Sequence, residues 1–334
     1  MNLVDLFCGA GGFSAGFQKA GYKIVGAVDS WDAAVNTYKY NRKVKNTLLK
    51  DISNVKKSDF PVKPDIIVGG PPCQGFSLAG KRNKGDPRNR LFKHFVRLVN
   101  ELEPKILLME NVKGILSMKT ENEEPVIGII EDEFGQIGYN ITYKILNTAD
   151  FGVPQKRSRV FIVANRLGLT NGTLFPHETH GPNSKSKNPY ATVRDSIMDI
   201  ASLKDPSDEW NHKPISHVSK VVERFRMIPQ GVDLAVNQSF LPRRLKRQGF
   251  AFNCRRLKIN EPSVTIVPGH YAFPVHPTLP RTLTVREIAR LQTFPDKDIF
   301  QGTRVGQGIL VGNAVPPTMA YAFAKRFKKF IAQN

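Results

Sequence analysis

Short apolar runs alternate with segments in which apolar residues return every three or four positions. The runs at 3–7, 24–28, 66–68 and 106–109 have the length and composition of buried strands. The segments between them, 13–20, 33–40 and 91–102, have helical spacing. This alternation predicts βαβ units around a mostly parallel sheet with helices on both faces. Two further runs, 143–147 and 160–164, lie close enough in sequence to form an antiparallel pair. Beyond residue 172 the pattern becomes short and irregular, and Pro, Asn, Ser and Lys accumulate through 175–190. Helical periodicity returns at 285–292 and in a last helix ending at Phe330. The expected organisation is a discontinuous α/β domain, 1–172 with 276–334, and a smaller irregular domain, 173–275. No internal repeat is visible.

The chain has 334 residues and a formal net charge of +20. That excess points to a polyanionic partner, most simply nucleic acid. No apolar run is long enough to span a bilayer, and neither a signal peptide nor a basic amphipathic anchor opens the chain, so no membrane partner is expected. The three cysteines, Cys8, Cys73 and Cys254, are far apart and form no CxxC pair. A zinc site or disulfide framework is therefore not expected, and a reducing cytoplasmic setting fits. No histidine has metal-ligand spacing, and no metal is assigned. Between 241 and 260 stand Arg243, Arg244, Lys246, Arg247, Arg255, Arg256 and Lys258 with no acid among them, near Phe240, Phe250 and Phe252. Basic residues interleaved with aromatics suit a nucleic-acid surface, although a solvated charged face has the same composition.

The candidate chemistry lies where strands end. In open α/β sheets, ligands bind outside the carboxyl ends of the strands. Phe7-Cys8-Gly9-Ala10-Gly11-Gly12-Phe13 joins the first strand to the first helix, and its glycines allow a tight turn and close backbone approach. Asp29 ends the second strand about 20 residues later, where an acid can bind ribose hydroxyls. Together these describe a site for a nucleoside-containing cofactor, with no pyrophosphate specified because the loop is GxGG. Asp51 is placed either to meet an adenine ring or simply to cap a helix. Gly69-Gly70-Pro71-Pro72-Cys73-Gln74-Gly75-Phe76-Ser77 follows the third run, and a thiol on a stiff Pro-Pro turn there is a candidate nucleophile. Glu110-Asn111-Val112 follows the fourth run, where a half-buried carboxyl can act as an acid. Gln155, Arg157 and Arg159 would share one face of a strand. Three long polar side chains are poor core material, so a ligand or acidic partners are expected for them, the bland reading being a solvated edge strand.

In this order, these segments resemble the C5-cytosine-specific DNA methyltransferase family of prokaryotic restriction-modification type. The resemblance rests on 7–12, Asp29, Pro71-Pro72-Cys73-Gln74, Glu110-Asn111-Val112, 155–159, 281–295 and Gly312-Asn313-Ala314-Val315-Pro316-Pro317. It implies a Rossmann-like S-adenosylmethionine-dependent methyltransferase sheet, with 173–275 as the target-recognition domain. It also implies Cys73 as nucleophile and Glu110 meeting cytosine N3 and the exocyclic amine. Arg159, with Arg157, would hold the base or the glutamate. Phe7, Gly9, Gly11, Asp29, Ser30, Asp51, Ile52, Pro71, Leu91, Asn313 and Ala314 would surround S-adenosylmethionine. The family often has a bulky apolar residue directly after the ribose-binding acid; here Ser30 stands there and Trp31 follows, so either one packs on the adenine.

The implied reaction methylates C5 of a cytosine rotated out of a specific duplex DNA sequence, through a covalent Cys–C6 adduct. The Gly- and Ser-containing stretch 75–85, with Lys81, Arg82 and Lys84, suits a loop closing over the DNA. A nucleoid-associated cytoplasmic monomer, with a cognate restriction endonuclease acting separately, is the expected setting. The competing readings are a tRNA cytosine-5 methyltransferase of the same fold, a non-catalytic DNA-binding protein and a nicotinamide-dependent oxidoreductase.

Overall fold

A computed structural model of the chain describes residues 1–72, 87–120, 123–170, 172–204, 208–249, 254–268 and 273–332. Cys73 and the 75–85 stretch therefore lie outside the described residues. So do Phe250 and Phe252. The described chain forms two compact units: 1–147 with 158–177 and 319–334, and 148–157 with 178–318. These packing units depart from the expected boundaries. Residues 276–318 pack with the irregular segment, and from the C-terminal region only 319–334 joins the first unit.

The first unit is built on seven strands: β1 (Asn2–Leu6), β2 (Lys23–Asp29), β3 (Thr47–Leu49), β4 (Ile66–Gly69), β5 (Ile106–Asn111), β6 (Asn140–Asn147) and β7 (Ser158–Asn165). Their spatial order is β3-β2-β1-β4-β5-β7-β6. All neighbours run parallel except β7, which is antiparallel to both β5 and β6. The expected antiparallel pair is thus β6 with β7. Strand β3 escaped the periodicity reading, because three residues on a sheet edge carry no detectable alternation.

Alternation along the strands feeds two layers. Val4, Leu6, Ile67, Leu107, Met109, Val160 and Ile162 join one apolar cluster with α3 (Pro87–Leu102) and α4 (Val126–Gln136). The opposite face carries α1 (Gly12–Lys19), α2 (Asp32–Arg42) and the C-terminal helix α9 (Pro317–Ile331). There Phe323 packs tilted against Phe161 of β7 with ring centroids 5.0 Å apart, and Phe327 meets Phe17 of α1 at 6.1 Å. Helix α4 had a legible signal in the spacing of Val126, Ile130 and Phe134, all of which are buried.

That second face also buries a polar chain. Asp5 of β1 is in the core, and its Oδ2 accepts from Ser14 Oγ of α1 at 2.6 Å. Ser14 Oγ in turn lies 2.5 Å from the Tyr38 hydroxyl of α2. Burial pushes the Asp5 carboxyl up to about 8, against the lowering effect of the Ser14 hydrogen bond. Between the ordinary carboxylate value of 3.8 and about 8, the folded chain keeps a proton that the unfolded chain has released. The contribution of Asp5 to stability therefore falls as pH rises through this window, by up to about 1.4 kcal/mol per pH unit. Asp5→Asn keeps the shape and removes the titration. Relative to wild type it should gain about 3 kcal/mol between pH 5.5 and pH 7.5. Urea unfolding at the two pH values measures the difference, and parallel behaviour of the two proteins would sink the assignment.

The second unit has few regular elements, as its composition predicts. They are α5 (Val193–Ile197), α6 (Ser219–Met227), α7 (Val285–Leu291) and α8 (Arg304–Asn313). Helix α7 starts on a capping box in which Thr284 and Glu287 exchange hydrogen bonds. Its glutamate is fully buried and takes both terminal nitrogens of Arg281, at 2.7 and 2.6 Å. Among the described residues, no helix is long and apolar enough to cross a membrane.

Candidate active site at the carboxyl ends of the strands

The direction in which successive strands are added to the sheet reverses between β1 and β4, because β2 and β3 lie on one side of β1 while β4 and β5 lie on the other. The crevice outside this switch point is where open α/β sheets bind ligands. Four of the sequence-nominated segments of the first unit leave the sheet here, after β1, β2, β4 and β5.

The loop after β1 leaves the strand abruptly. Phe7 has φ +58°, Gly9 +50° and Gly11 +75°. The expected strand at 3–7 accordingly ends at Leu6, since Phe7 already has the left-handed backbone that extended pairing forbids. Gly11 is the N-cap of α1, and a Cβ there would press on the Tyr38 ring at 3.0 Å. A Cβ on Gly9 would meet no atom within 4 Å, so the loop is open at that point. Asp29, at the end of β2, holds the loop: its Oδ2 accepts from Gly9 N at 2.9 Å and its Oδ1 from Trp31 N at 2.9 Å. Burial raises the Asp29 carboxyl, opposed by hydrogen bonds from the N–H groups of Gly9, Trp31 and Ser30. Trp31 is exposed and precedes α2.

Asp51 caps a single 3-10 turn, Ile52–Asn54, accepting from Ser53 N at 2.8 Å and Ser53 Oγ at 2.6 Å. Those bonds hold its carboxyl below the usual range. This is the capping geometry that the sequence left open as an alternative. Ile52 beneath it is buried, and Arg97 of α3 donates to the carbonyls of Ile52 and Val55 at 3.2 and 2.8 Å. Leu91, one helical face earlier, is half-buried against the same apolar cluster.

β4 ends flush on β1. A Cβ on Gly69 would stand 2.7 Å from the Leu6 carbonyl oxygen and 2.9 Å from the Phe95 ring, so only glycine fits. The Pro-Pro turn that follows is held from β5: Asn111 Nδ2 donates to the Pro71 carbonyl at 3.1 Å, and Asn111 Oδ1 accepts from Val112 N at 2.8 Å. Asn111 is buried, and its clamp on the turn was not assigned from sequence. Glu110 lies beside the turn, with Oε2 4.0 Å from where a Gly70 Cβ would be.

Glu110 pairs in register with Phe161, and Arg159 lies two residues before Phe161, so the two side chains share a face. Arg159 Nε meets Glu110 Oε1 at 3.0 Å, with side-chain exposures of 16% and 11%. This ion pair is therefore largely sealed from water, unlike a surface pair.

Gln155 and Arg157 do not share that face. β7 starts only at Ser158, and both residues are buried in the second unit. Gln155 Nε2 donates to Gln292 Oε1 at 2.9 Å, and its Oε1 accepts from Ile266 N at 2.9 Å. Arg157 Nη1 donates to the Gly312 carbonyl at 2.8 Å, and Nη2 reaches that of Asn313 at 3.4 Å. The structure thus gives Arg157 backbone carbonyl partners and gives Arg159 the glutamate. Its guanidinium supports the corner where α8 ends at Asn313 and Ala314 caps it. Gly312 there packs on Pro268, with a Cβ position only 2.9 Å from its backbone.

The basic stretch also sorts into two kinds. Arg256 is buried and donates to the carbonyls of Ile228, His276, Leu279 and Phe225. It is a tie within the second unit, and is removed from the expected nucleic-acid surface. Arg244 pairs with Glu223, Arg255 with Asp233 at 3.6 Å and Lys258 with Glu261 at 2.7 Å. Arg243, Lys246 and Arg247 are exposed. Phe240 packs on the local apolar cluster.

A parallel sheet with one antiparallel strand beside its edge, glycine-lined at the switch point, defines the Rossmann-like S-adenosylmethionine-dependent methyltransferase class. The model of the C-5 cytosine-specific DNA methylase family matches residues 1–329, and the chain belongs to that family of DNA (cytosine-5) methyltransferases. It is similar to the type II methyltransferase M.DdeI of Desulfomicrobium norvegicum, with 36% identity over 98% of this chain and 88% of the relative. It is equally similar to M.FnuDI of Fusobacterium nucleatum, with 36% identity over 100% and 96%. Among solved structures, a prophage-encoded candidate DNA modification methyltransferase of E. coli superposes with a TM-score of 0.78, at 25% identity and covering 99% of each chain.

Proposed function

We propose that this chain methylates C5 of a cytosine swung out of a specific duplex DNA sequence, with Cys73 forming a transient bond to C6. The observation that carries this reading is the Glu110–Arg159 pair beside the Gly70-Pro71-Pro72 turn, at the switch point of the sheet.

C5 of cytosine is a weak nucleophile in the intact ring. Addition of the Cys73 thiolate to C6 makes C5 enamine-like and moves electron density toward N3. Glu110 shares a proton with N3 and accepts from the exocyclic amine, so the developing charge is neutralised where it forms. Arg159 fixes the direction of the Glu110 carboxylate. Methyl transfer to C5 would leave the donor sulfur as a neutral thioether; water then takes the C5 proton, the C–H electron pair restores the C5–C6 double bond, and the C6–S bond breaks to return the thiolate. Asn111, by clamping Pro71, sets the turn from which Cys73 departs.

S-adenosylmethionine, when bound, supplies an electrophilic methyl on a sulfonium. The open face at Gly9 beside Asp29 fits a nucleoside-bearing donor. Phe7, Gly9, Gly11, Asp29, Ser30, Asp51, Ile52, Pro71 and Leu91 would hold it. Bases would be read from within 173–275, where Arg243, Lys246 and Arg247 are exposed. The type II names of the relatives support a cognate endonuclease that acts separately, and a monomer in the cytoplasm at the nucleoid is the simplest setting.

Bisulfite sequencing of DNA from cells expressing the chain tests the reading. Protection of one cytosine within one recurring sequence is expected. Unprotected DNA from cells that accumulate the folded protein would refute it.

A further inference from the structure

We propose that the far edge of the first unit, at the ends of α1 and α9, is a second contact surface for duplex DNA, separate from the catalytic crevice. The proposal rests on the reading of DNA as substrate.

Lys19 is the last residue of α1, Lys23 the first of β2, and Lys325, Lys328 and Lys329 lie in the last turns of α9. All five are exposed. Three of them converge: the Lys19 and Lys325 ammonium groups stand 5.1 and 5.7 Å from the centroid of the same Tyr321 ring, and Lys328 Nζ donates to the Ala20 carbonyl at 3.1 Å. Tyr321, Lys325 and Lys328 follow helical i, i+4, i+7 spacing, while the Phe323 and Phe327 stripe faces the sheet.

Helix dipoles favour lysines at the C-terminal ends of α1 and α9, but that effect leaves their charge directed at solvent. Nothing in these segments neutralises it. No Asp or Glu occurs in 6–28, nor in 299–334. Among the described residues, none of the five lysines forms an ion pair. The Asp65 carboxylate, which bears on the adjoining Tyr22, accepts from Asn2 N at 2.7 Å and forms no ion pair with any of the five among the described residues.

The patch lies at the wrong end of the sheet for the reaction. Lys23 opens β2 and Asp29 closes it, so about 20 Å of strand separates the two edges. A duplex in the crevice is reached from the carboxyl ends, so the lysines would meet a second segment of DNA, or one that bends around the unit. A cluster of cations with no acid among them matches a phosphate backbone, and contributes affinity without sequence preference.

The test replaces Lys19, Lys325 and Lys329 together with Gln, which keeps the Lys328 hydrogen bond and most of the packing; a Glu triple variant serves as the stronger perturbation. Wild type and variants are compared on a short duplex of about 20 base pairs carrying the sequence mapped by bisulfite sequencing, and on plasmid-length DNA. Methylation of the short duplex should stay within twofold, which also shows that the fold and the main reading stand. Affinity for plasmid-length DNA should fall at least tenfold at low salt, and the slope of log K against log salt should become shallower by up to about 2.7, or 0.9 per phosphate contact. An unchanged slope on long DNA overturns the proposal. So does an equal loss on the short duplex, which would place the lysines in the ordinary binding site. Unaltered DNA binding with lost binding to anionic phosphatidylserine vesicles would assign the patch to a lipid surface and overturn it too.

Discussion

Cys73→Ala is expected to lower methyl transfer by about 10⁴-fold or more while leaving duplex DNA bound. The side chain loses only its sulfur, so the neighbouring Pro71-Pro72 turn, clamped by Asn111, is undisturbed. What disappears is the only atom proposed to add to C6, and without that addition C5 stays aromatic and does not attack a methyl group. A duplex carrying 5-fluorocytosine at the target position separates binding from chemistry. With fluorine at C5 the final elimination has no proton to remove, so wild-type protein in the presence of S-adenosylmethionine should migrate on a denaturing gel as a DNA adduct. The variant should shift DNA only under native conditions. Residual turnover within tenfold of wild type, or an adduct in the variant, would remove Cys73 from its role.

Glu110→Gln should reduce kcat by about 10²–10⁴-fold, the range for a positioned acid-base group, with the dissociation constant for S-adenosylmethionine within twofold. The amide keeps the shape and can still accept from the exocyclic amine, but it cannot share a proton with N3. It also leaves Arg159, 16% exposed, facing a neutral group at the position of a 3.0 Å ion pair. Part of any loss of stability, on the order of 1–3 kcal/mol, would come from that uncompensated guanidinium rather than from catalysis. A double-mutant cycle with Arg159→Met apportions the two. If Arg159 acts by orienting Glu110, its removal should cost little once Glu110 is already Gln. Additive losses in kcat would mean that the arginine acts on its own, and a Glu110→Gln enzyme with wild-type kcat would end the assignment.

Much of this site was legible before any coordinates. Strand ends are marked by where apolar runs stop, and chemistry in an open α/β sheet gathers at those ends. Gly9, Gly11, Asp29, the Pro-Pro turn and Glu110 could therefore be nominated together. Arg159 could also be nominated, as one of three long polar side chains at alternate positions that make poor core material. Arg157 shows the limit of that reasoning. Period-two alternation from Gln155 to Arg159 begins three residues ahead of the strand, which starts only at Ser158, and the guanidinium donates to the carbonyls of Gly312 and Asn313. Arg256 shows the same limit in a charge run. Seven cations in a row of twenty residues look alike in sequence, yet one is a buried tie to four carbonyls.

By itself, the order of residues along the chain determined the layered α/β architecture and the family to which it belongs, and it nominated the thiol, the carboxyl and the glycine loop, since these depend on local periodicity and on motifs of a few contiguous residues. Only the tertiary structure decided which polar side chains face one another. The Glu110–Arg159 pair, the Asn111 clamp on Pro71, the buried Asp5–Ser14–Tyr38 chain and the lysines gathered round Tyr321 join residues from 9 to more than 300 positions apart. Such contacts arise from helices docking on a twisted sheet, and the free energy that selects them comes from burying the apolar stripes between the polar residues rather than from the polar residues themselves.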